Sequence, residues 1–340
     1  MRASIENRLL HHWYGNHKPP WYLRILEPVY RSAFLRSQKH GKTGAGVYKP
    51  ELPLIVVGNI TAGGSGKTPL VIRLCQLATE MNLKPGIAST GYGRQSQETF
   101  VVQAESDTRI CGDEPVLLAQ RTRAAVVVAA RRTDAVKELQ KLNVDLLISD
   151  DGLQQADLYR DVDICVVDGF RGLGNGHLIP AGPLRESAER LERVDHIVTN
   201  GPWDSKPSAL NAHVMRLEAS VVCTLDGNTE LPIDEFRQQH DTAQLHAIAA
   251  IGRPQRFFTM LENNGLRIIP HPFPDHHVFT PADFEEMKGA AAILMTEKDA
   301  VKCRDFGLQN AWYVPVETCL STEFETILKN QMVNLIKDRK

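Results

Sequence analysis

The fold is decided by the stretch Leu54-Ile55-Val56-Val57-Gly58-Asn59-Ile60-Thr61-Ala62-Gly63-Gly64-Ser65-Gly66-Lys67-Thr68-Pro69. Four apolar residues typical of a buried strand come first, a glycine-rich turn follows, and apolar residues then recur at helical spacing. This order is that of a phosphate-binding loop (P-loop), whose backbone N–H groups and helix N-terminus surround a phosphate chain. In such a loop Lys67 reaches the β- and γ-phosphates and Thr68 binds Mg²⁺.

The loop departs from the pattern G-x-x-x-x-G-K-[ST] at its first position, where Thr61 replaces glycine. Gly63 and Gly64 supply flexibility instead. The alternative interpretation is a glycine-rich turn that binds nothing, but Gly-Lys-Thr rarely lies by accident between a strand and a helix. We therefore predict binding of a nucleoside triphosphate by Thr61, Ala62, Gly63, Gly64, Ser65, Gly66, Lys67 and Thr68.

The composition of the 340 residues is that of an ordinary globular protein with room for two domains. A net charge of −2 gives no sign of nucleic-acid binding, but residues 1–50 hold nine Lys and Arg against two Glu, a net of +7. The six cysteines are scattered, which argues against a zinc site or a disulfide framework. No secretory signal or transmembrane stretch is expected, so we expect the protein to remain in the cytosol.

Strands and helices alternate from residue 54 to about 200. The predicted strands lie at 54–57, 86–89, 124–128, 145–149, 162–167 and 196–199. The predicted helices lie at 68–82, 112–122, 133–142 and 186–193. This alternation predicts an α/β fold with a P-loop NTPase-like, doubly wound parallel sheet that binds ligands at the carboxyl ends of its strands.

A second, smaller α/β/α domain is predicted after a β linker. Its predicted strands lie at 246–251, 266–269, 291–295 and 311–316. Its predicted helices lie at 254–264 and 281–288, and an amphipathic helix at 322–337 returns to the first domain. The predicted divisions are an N-terminal helical segment (1–40), a kinase-like domain (41–216), the linker (217–230), the smaller domain (231–319) and the returning C-terminal helix (320–340).

The N-terminal segment 1–40 mixes Trp, Tyr and aliphatic residues with Arg and His. Pro19, Pro20 and Pro28 are expected to break it into short pieces. Aromatic and cationic residues around an apolar face suit a helix that lies in a membrane interface. The alternative interpretation is a helical pair packed on the main domain, and the residues alone leave both open.

Acidic residues lie at the end of one predicted strand and at the start of one predicted helix. Asp150 and Asp151 end a buried strand, where an acid of a P-loop protein holds Mg²⁺, although they could also cap a turn before Gly152. Asp113 begins a helix, where an acid is ordinary helix-start chemistry. Because Asp113 follows a strand on the P-loop side, it could instead accept a proton from an attacking hydroxyl.

Three further loops carry residues suited to a site. Asp275, His276 and His277 could orient a catalytic carboxylate, or bind a metal, although no third cluster of ligands lies nearby. Arg185 in the long loop 175–186 could hold a phosphate. The loop 90–94 adds Tyr92 and Arg94. Guanine recognition would need N-K-x-D, which Thr296-Glu297-Lys298-Asp299 lacks, so we predict ATP as the nucleotide.

Taken together, several motifs make the chain similar to the tetraacyldisaccharide 4'-kinases, the lipid A 4'-kinases. They are the P-loop with its Thr61, Gly91-Tyr92-Gly93-Arg94, Gly112-Asp113-Glu114-Pro115, Asp150-Asp151-Gly152-Leu153-Gln154, Pro180-Ala181-Gly182-Pro183-Leu184-Arg185-Glu186, Asp275-His276-His277 and Thr296-Glu297-Lys298-Asp299-Ala300-Val301-Lys302. These motifs run in family order from about 54 to 302.

The resemblance implies a peripheral protein on the cytosolic face of the inner membrane of a Gram-negative bacterium. It implies transfer of the γ-phosphoryl group of ATP, with Mg²⁺, to the 4'-hydroxyl of tetraacyldisaccharide 1-phosphate, which gives lipid IVA. The partners it implies are this anionic lipid and the membrane surface. Neither nucleic acid nor a protein partner is inferred.

The resemblance also assigns roles by motif. Asp113 is the base and His276 supports it, while Lys67, Thr68, Asp150 and Asp151 manage the phosphates and Mg²⁺. The residues that line the nucleotide site are Gln154, Arg185 and Glu186. Weaker assignments place Tyr92, Arg94 and Arg132 near the substrate.

One position departs from the family pattern, because Gln155 stands where the family usually has His. Glutamine cannot exchange a proton near neutral pH, so no proton-transfer role is carried over. Two other classes of function stay open at this point: a P-loop kinase for a soluble small molecule, and a membrane-associated nucleotide switch without kinase activity.

Overall fold

Two β-sheets organise the chain in the computed structural model, which describes residues 2–15, 18–43 and 46–339. The strands of the described chain are β1 (Leu54–Gly58), β2 (Pro85–Ser89), β3 (Phe100–Val102), β4 (Ala125–Val128), β5 (Leu146–Asp150), β6 (Val162–Asp168), β7 (His196–Asn200), β8 (His213–Glu218), β9 (Val221–Thr224), β10 (Glu230–Pro232), β11 (Leu245–Ala249), β12 (Ile268–Pro272), β13 (Ile293–Thr296), β14 (Ala311–Val314) and β15 (Glu317–Cys319).

Helices cover both sheets. They are α1 (Arg2–Tyr14), α2 (Trp21–Thr43), α3 (Lys67–Glu80), α4 (Thr108–Cys111), α5 (Asp113–Arg121), α6 (Arg132–Leu139), α7 (Ile233–Gln239), α8 (Pro254–Asn263), α9 (Glu297–Cys303) and α10 (Thr322–Lys337). Short 3₁₀ helices lie at Ala188–Glu192, Pro281–Met287 and Arg304–Phe306.

The first sheet has the strand order β15-β8-β7-β6-β1-β5-β2-β4-β3. Its strands from β8 to β4 are parallel, and β15 and β3 close the two edges in the antiparallel sense. This confirms the predicted parallel sheet, with each of the six predicted strands placed within one residue. Because Val57 of β1 pairs with Asp150 of β5, the P-loop and the acidic pair leave the sheet at the same edge.

Strand β1 is buried on both faces, as expected of a central parallel strand. Ile55 and Val57 pack on one face in the cluster that contains α3, and Leu54 and Val56 pack on the other. The α3 side also receives α10, whose apolar residues join the same cluster, namely Phe324, Leu328 and Met332. The element that carries the P-loop is therefore anchored in the largest core of the described chain.

The second sheet has the order β10-β9-β14-β13-β11-β12, in which the last four strands are parallel. Residues 217–230, predicted as a β linker, contribute to both sheets, since β8 belongs to the first and β9 to the second. Strand β15 runs back beside β8, so the chain crosses between the sheets on two adjacent strands. The division into domains at 216, 230 and 319 stays a prediction.

Three local predictions differ from the structure. Pro28 does not break the N-terminal segment, because α2 continues through it. Glu27 and Tyr30, on either side of Pro28, hydrogen-bond the backbone of the loop 175–186. These contacts offset the loss of one helical hydrogen bond at the proline. The helices predicted at 186–193 and 281–288 are only short 3₁₀ turns.

The predictions for the chain termini reach beyond the described residues. The predicted segments 1–40, 41–216 and 320–340 include residues 1, 16, 17, 44, 45 and 340, which lie outside them. In the part of the chain that is described, no helix is long and apolar enough to cross a membrane.

Phe324 offers a test of how strongly α10 supports the first sheet. It is fully buried and stacks on His213 with the ring centroids 3.7 Å apart. We expect Phe324→Ala to lower the free energy of unfolding by about 3 kcal/mol or more, because a large cavity opens. Val333→Ala on the exposed side of α10 is the control and should cost less than about 1 kcal/mol. Equal losses in urea unfolding would contradict this packing.

Candidate active site

The P-loop adopts the conformation that its glycines predict. Gly63 and Gly66 have φ of 99° and 92°, a region that favours glycine, and Gly66 directly precedes the first residue of α3, Lys67. Thr61 is buried and forms a β-bridge with Leu184, which explains why glycine is not needed at this position. The loop is therefore shaped to direct N–H groups towards a phosphate chain.

The loop 175–186 lies directly on the P-loop. The Ala62 N–H donates to the Pro183 carbonyl at 2.8 Å, and the Arg185 N–H donates to the Ile60 carbonyl at 2.8 Å. The Arg185 guanidinium consequently points to the acids at the end of β5, where it lies 3.1 and 3.2 Å from the two carboxylate oxygens of Asp151. The structure thus places Arg185 beside Asp151, and its predicted contact with phosphate stays a prediction.

Asp151 gathers the cations of this edge of the sheet. Lys67 Nζ lies 3.4 Å from Asp151 Oδ1, opposite the contact with Arg185. Burial alone would raise the pKa of Asp151, but the charges of Lys67, Arg185 and Arg132 outweigh it and lower the pKa to about 2. Asp151 therefore stays ionised and forms ion pairs with Lys67 and Arg185, the two cations that are placed to bind a phosphate chain.

Asp150 has the opposite environment. It is buried, and its Oδ1 has no hydrogen-bond partner in the described chain. Burial, together with the negative charge of Glu114, raises the pKa of the Asp150 carboxyl above its ordinary value. Arg132 does not neutralise it directly, since its guanidinium donates to the Asp150 backbone carbonyl at 2.9 and 3.1 Å. A buried carboxylate oxygen with a free lone pair is suited to a cation.

Asp113 and His276 meet across the two sheets. His276 Nδ1 lies 3.1 Å from Asp113 Oδ2, while Asp113 Oδ1 accepts the Glu114 N–H at 2.9 Å. His276 has a left-handed φ of 56°. Its backbone N–H donates to the Ala250 carbonyl, which holds the residue in this conformation. The predicted pairing of Asp113 with the Asp-His-His motif is therefore present in the geometry, through His276. His277 instead faces Asp283, with Nε2 and Oδ2 3.3 Å apart.

Lys298 completes this cluster, although sequence reasoning gave it no role in the site. Its Nζ lies 2.9 Å from Glu114 Oε1, 3.3 Å from His276 Nε2 and 4.0 Å from Asp113 Oδ2. Lys298 precedes Asp299 directly after β13, so its position at the end of a parallel strand was the available signal. An ammonium beside Nε2 leaves Nδ1 as the imidazole nitrogen that carries the proton in the neutral ring.

The charges of the cluster tune one another. Burial would raise the pKa of Asp113, but the hydrogen bond from His276 and the charge of Lys298 lower it to about 2. Burial would lower the pKa of His276, but the Asp113 hydrogen bond raises it above its ordinary value. Asp113 is therefore an ionised hydrogen-bond acceptor at neutral pH.

The two halves of the site are close together. A Cβ at Gly252, which follows β11, would lie 2.5 Å from the P-loop nitrogen of Gly64 and 3.3 Å from Asp275 Oδ2. Tyr92 covers the same region, with its ring centroid 4.9 Å from that of His276. The cleft between the two sheets is therefore closed at this point, where Gly252 touches the phosphate-binding loop beside Asp275 of the Asp-His-His motif.

The remaining predicted residues divide into two groups. Gln154 and Glu186 form a pair below the P-loop, where Gln154 Nε2 donates to Glu186 Oε1 at 2.7 Å and to the Asn59 carbonyl at 2.8 Å. Arg94 is buried, and its Nη1 donates to the Glu98 carbonyl at 2.7 Å, so it holds its own loop together. Gln155 hydrogen-bonds Asp157, a few residues further along.

Comparisons with known proteins identify the family of the chain. A family model described as "LpxK: Tetraacyldisaccharide-1-P 4'-kinase" matches residues 19–333. The chain is 39% identical over 339 residues to the tetraacyldisaccharide 4'-kinase of Pseudomonas fluorescens strain Pf-5, covering 99% of both chains. It is 41% identical over 334 residues to that of Xanthomonas euvesicatoria pv. vesicatoria strain 85-10, covering 95% of both.

A solved structure shares the fold. It is the crystal structure of the "apo" form of LpxK from Aquifex aeolicus in complex with ATP, with a TM-score of 0.75 and 27% identity over 92% of this chain and 97% of that one. The family that the motifs indicate is confirmed by the extent of these matches: the chain belongs to the tetraacyldisaccharide-1-P 4'-kinase family.

Proposed function

We propose that the chain transfers the γ-phosphoryl group of ATP to the 4'-hydroxyl of tetraacyldisaccharide 1-phosphate, which gives lipid IVA. The observation that carries the proposal is the buried Asp113–His276 pair, which joins the two sheets in the region where Gly252 touches the P-loop. A nucleotide switch needs no such pair. The relatives named as tetraacyldisaccharide 4'-kinases and the related structure in complex with ATP supply the substrate and the nucleotide.

The phosphate half of the site works by charge neutralisation. Lys67 and Arg185 are held on Asp151 and can exchange this carboxylate for phosphate oxygens without moving far. The residues that would hold Mg²⁺ are Thr68, Asp150 and Asp151, and the unpartnered Oδ1 of Asp150 fits a cation. Bound there, Mg²⁺ would neutralise charge on the phosphates, with waters as its other ligands.

The hydroxyl half of the site works by orientation. Asp113 accepts a hydrogen bond from the 4'-hydroxyl and takes its proton as the new P–O bond forms. A carboxylate with a pKa of about 2 is a weak base, but in a loose transition state the proton leaves late, so orientation matters more than base strength. His276 donates through Nδ1 and fixes the Asp113 carboxylate, while Lys298 fixes the imidazole tautomer.

We further propose that α2 holds the protein on the cytosolic face of the inner membrane. Its outer side exposes large apolar side chains, with Trp21, Ile25 and Val29 73%, 61% and 64% exposed. Its inner side is docked on the loop 175–186, where Tyr30 Oη donates to the Arg185 carbonyl at 2.9 Å and Glu27 Oε1 accepts the Leu178 N–H at 2.9 Å. One helix therefore joins an apolar surface to the catalytic loop, as a kinase for an embedded lipid requires.

The base is tested by incubating detergent-solubilised protein with Mg-ATP labelled at the γ-phosphate and the tetraacyldisaccharide 1-phosphate. Label should move to the lipid, and Asp113→Asn should lower kcat about 100-fold or more while ATP binding is retained. Absence of transfer by the wild type, with lipid-independent ATP hydrolysis unaffected by the substitution, would overturn the proposal in favour of a switch.

The pH profile tests the role of His276. Protonation of His276 at Nε2 would place a second positive charge 3.3 Å from the Lys298 ammonium. We therefore expect the neutral ring to be the active form. Because the pKa of His276 is raised above its ordinary 6.5, we expect kcat to rise with pH through a midpoint above 6.5. His276→Gln can still donate to Asp113 but does not titrate, so its profile should lack this inflection. An unchanged inflection would assign the titration to another group.

Asp150 and Asp151 should affect stability in opposite directions when nucleotide and Mg²⁺ are absent. The raised pKa of Asp150 means that its ionised form opposes folding, so Asp150→Asn should raise the melting temperature at pH 8. Because the pKa of Asp151 is lowered, its ionised form stabilises the folded protein above pH 3.8, and this stabilisation is lost as the pH falls through about 2. Asp151→Asn should therefore lower the unfolding free energy by about 1–2 kcal/mol at pH 8, allowing for partial exposure. Both variants should lose kinase activity. A higher melting temperature for both variants than for the wild type would contradict the opposite environments of Asp150 and Asp151.

The membrane surface is tested with vesicles that contain anionic lipid. We expect the double variant Ile25→Ser, Val29→Ser to bind them about tenfold more weakly or worse, because two aliphatic side chains no longer enter the interface. The matched control is Ile327→Ser, Val333→Ser, which replaces similarly sized exposed residues on α10. Equal losses in the two variants, measured by co-sedimentation, would remove α2 from the membrane contact.

A further inference from the structure

Arg171 is a cation beside the P-loop that has no counter-charge. Among the described residues no carboxylate lies within ion-pair distance of its guanidinium. Several other cations of the site are paired with carboxylates: Lys67 and Arg185 with Asp151, Lys298 with Glu114, and Arg253 and Arg256 with Asp168. A half-buried positive charge without a counter-charge, next to a phosphate-binding loop, points to an anion as its missing partner.

Two contacts hold the side chain of Arg171, and a third holds its backbone. Its Nη2 donates to the Gly252 carbonyl at 3.2 Å, which fixes it to the second sheet. Its guanidinium lies 4.8 Å from the ring centroid of Tyr14, at the end of α1. Its backbone N–H donates to Asp168 Oδ1 at 3.2 Å, where β6 ends. These contacts leave Nη1 without a described hydrogen-bond partner and hold the guanidinium over the P-loop.

The P-loop residue below Arg171 is Gly63. A Cβ at Gly63 would lie 3.5 Å from Nη1 of Arg171, so the guanidinium touches the loop at the third residue of its phosphate-binding turn. The loop surrounds the phosphate chain between this residue and the start of α3, and Lys67 binds the β- and γ-phosphates from the other end. An arginine above the near end of the loop is therefore placed to reach the terminal phosphate.

We propose that Arg171 contacts the γ-phosphate of ATP and stabilises its charge during transfer, as an arginine finger supplied by this chain itself. The inference rests on the proposed function only in taking ATP as the phosphoryl donor. In P-loop enzymes such an arginine acts on the charge of the transferred group and does not exchange a proton. The Gly252 carbonyl and the Tyr14 ring orient it, so the second sheet and α1 both take part in completing the phosphate site.

The contact with Gly252 makes the finger dependent on the closed cleft. Gly252 has room for a hydrogen only, since a Cβ there would lie 2.5 Å from the Gly64 nitrogen. The Gly252 carbonyl therefore reaches Arg171 only when the backbones of Gly252 and Gly64 are in contact. Opening the cleft would remove the hydrogen bond that orients the guanidinium.

The test compares binding of ATP and ADP, each with Mg²⁺ and without lipid, by displacement of a fluorescent nucleotide. Arg171→Gln should weaken ATP about 10-fold to 100-fold, because one charge-assisted contact to the γ-phosphate is lost. ADP affinity should change by less than about twofold. Arg171→Lys, which keeps the charge but not the guanidinium geometry, should fall between Arg171→Gln and the wild type.

The matched control is Arg253→Gln, which removes a cation of the same cleft that is paired with Asp168. It should change ATP and ADP affinity by the same factor. A uniform loss for ATP and ADP in Arg171→Gln would overturn the inference and leave Arg171 as a contact between the sheets. If Arg171→Gln melts well below the wild type, Arg171→Lys decides, because a γ-phosphate contact still predicts a selective loss of ATP.

This measurement is independent of the acceptor. Failure of label transfer to the lipid, together with an ATP preference that depends on Arg171, would overturn the proposed function and support the inference. Successful label transfer with no change in the ATP preference of Arg171→Gln would do the reverse.

Discussion

The site depends on one electrostatic constraint, which is that charges at the interface of the two sheets must be paired. Asp113 is only 7% exposed, and its carboxylate is stabilised by His276 and Lys298, which lie on segments that follow strands of the second sheet. Removing such partners would leave a buried charge uncompensated, which is far more costly than separating an exposed ion pair. The closed arrangement of the two sheets and the ionisation of Asp113 therefore stabilise each other.

The same constraint explains the contrast between the two acids of β5. Asp151 is surrounded by cations and ionises readily, whereas Asp150 is buried with an oxygen that nothing in the described chain satisfies. Other buried carboxylate oxygens of the described chain also lack a hydrogen-bond partner, namely Asp163 Oδ1, Asp168 Oδ2 and Asp299 Oδ1. The oxygen of Asp150 differs from them in its place at the end of the strand next to the P-loop, where the proposed cation would bind.

The sequence predicts those features that short segments encode. The P-loop, the parallel strands and Asp150 and Asp151 follow from local patterns, because a buried parallel strand is apolar along its whole length and ends where ligands bind. Asp113 and His276 are 163 residues apart, so local patterns give only the candidates, and the motif order of the family gives the pair. Lys298 and Arg171 stand outside any phosphate motif, and the packing of the two sheets shows which side chains they contact.

The prediction for Pro28 fails for a related reason. Helix propensity treats the proline as a break, but Glu27 and Tyr30 fix both neighbouring turns to the loop 175–186. Two interpretations of the N-terminal segment that the residues left open are therefore compatible, because α2 packs on the protein with one side and exposes apolar residues on the other.

This two-sided helix has a consequence for how an embedded lipid would reach the site. The Arg185 carbonyl accepts from Tyr30 of α2, while the Arg185 guanidinium lies on Asp151 beside Lys67. A displacement of α2 at a bilayer surface would thus pass through a single residue to the cations of the phosphate site. Trp13 of α1 also donates to the Pro180 carbonyl in the same loop, so both N-terminal helices bear on it. If α2 binds a membrane as proposed, the loop 175–186 is the segment through which that binding would act on the phosphate site, because it contacts both N-terminal helices and the P-loop.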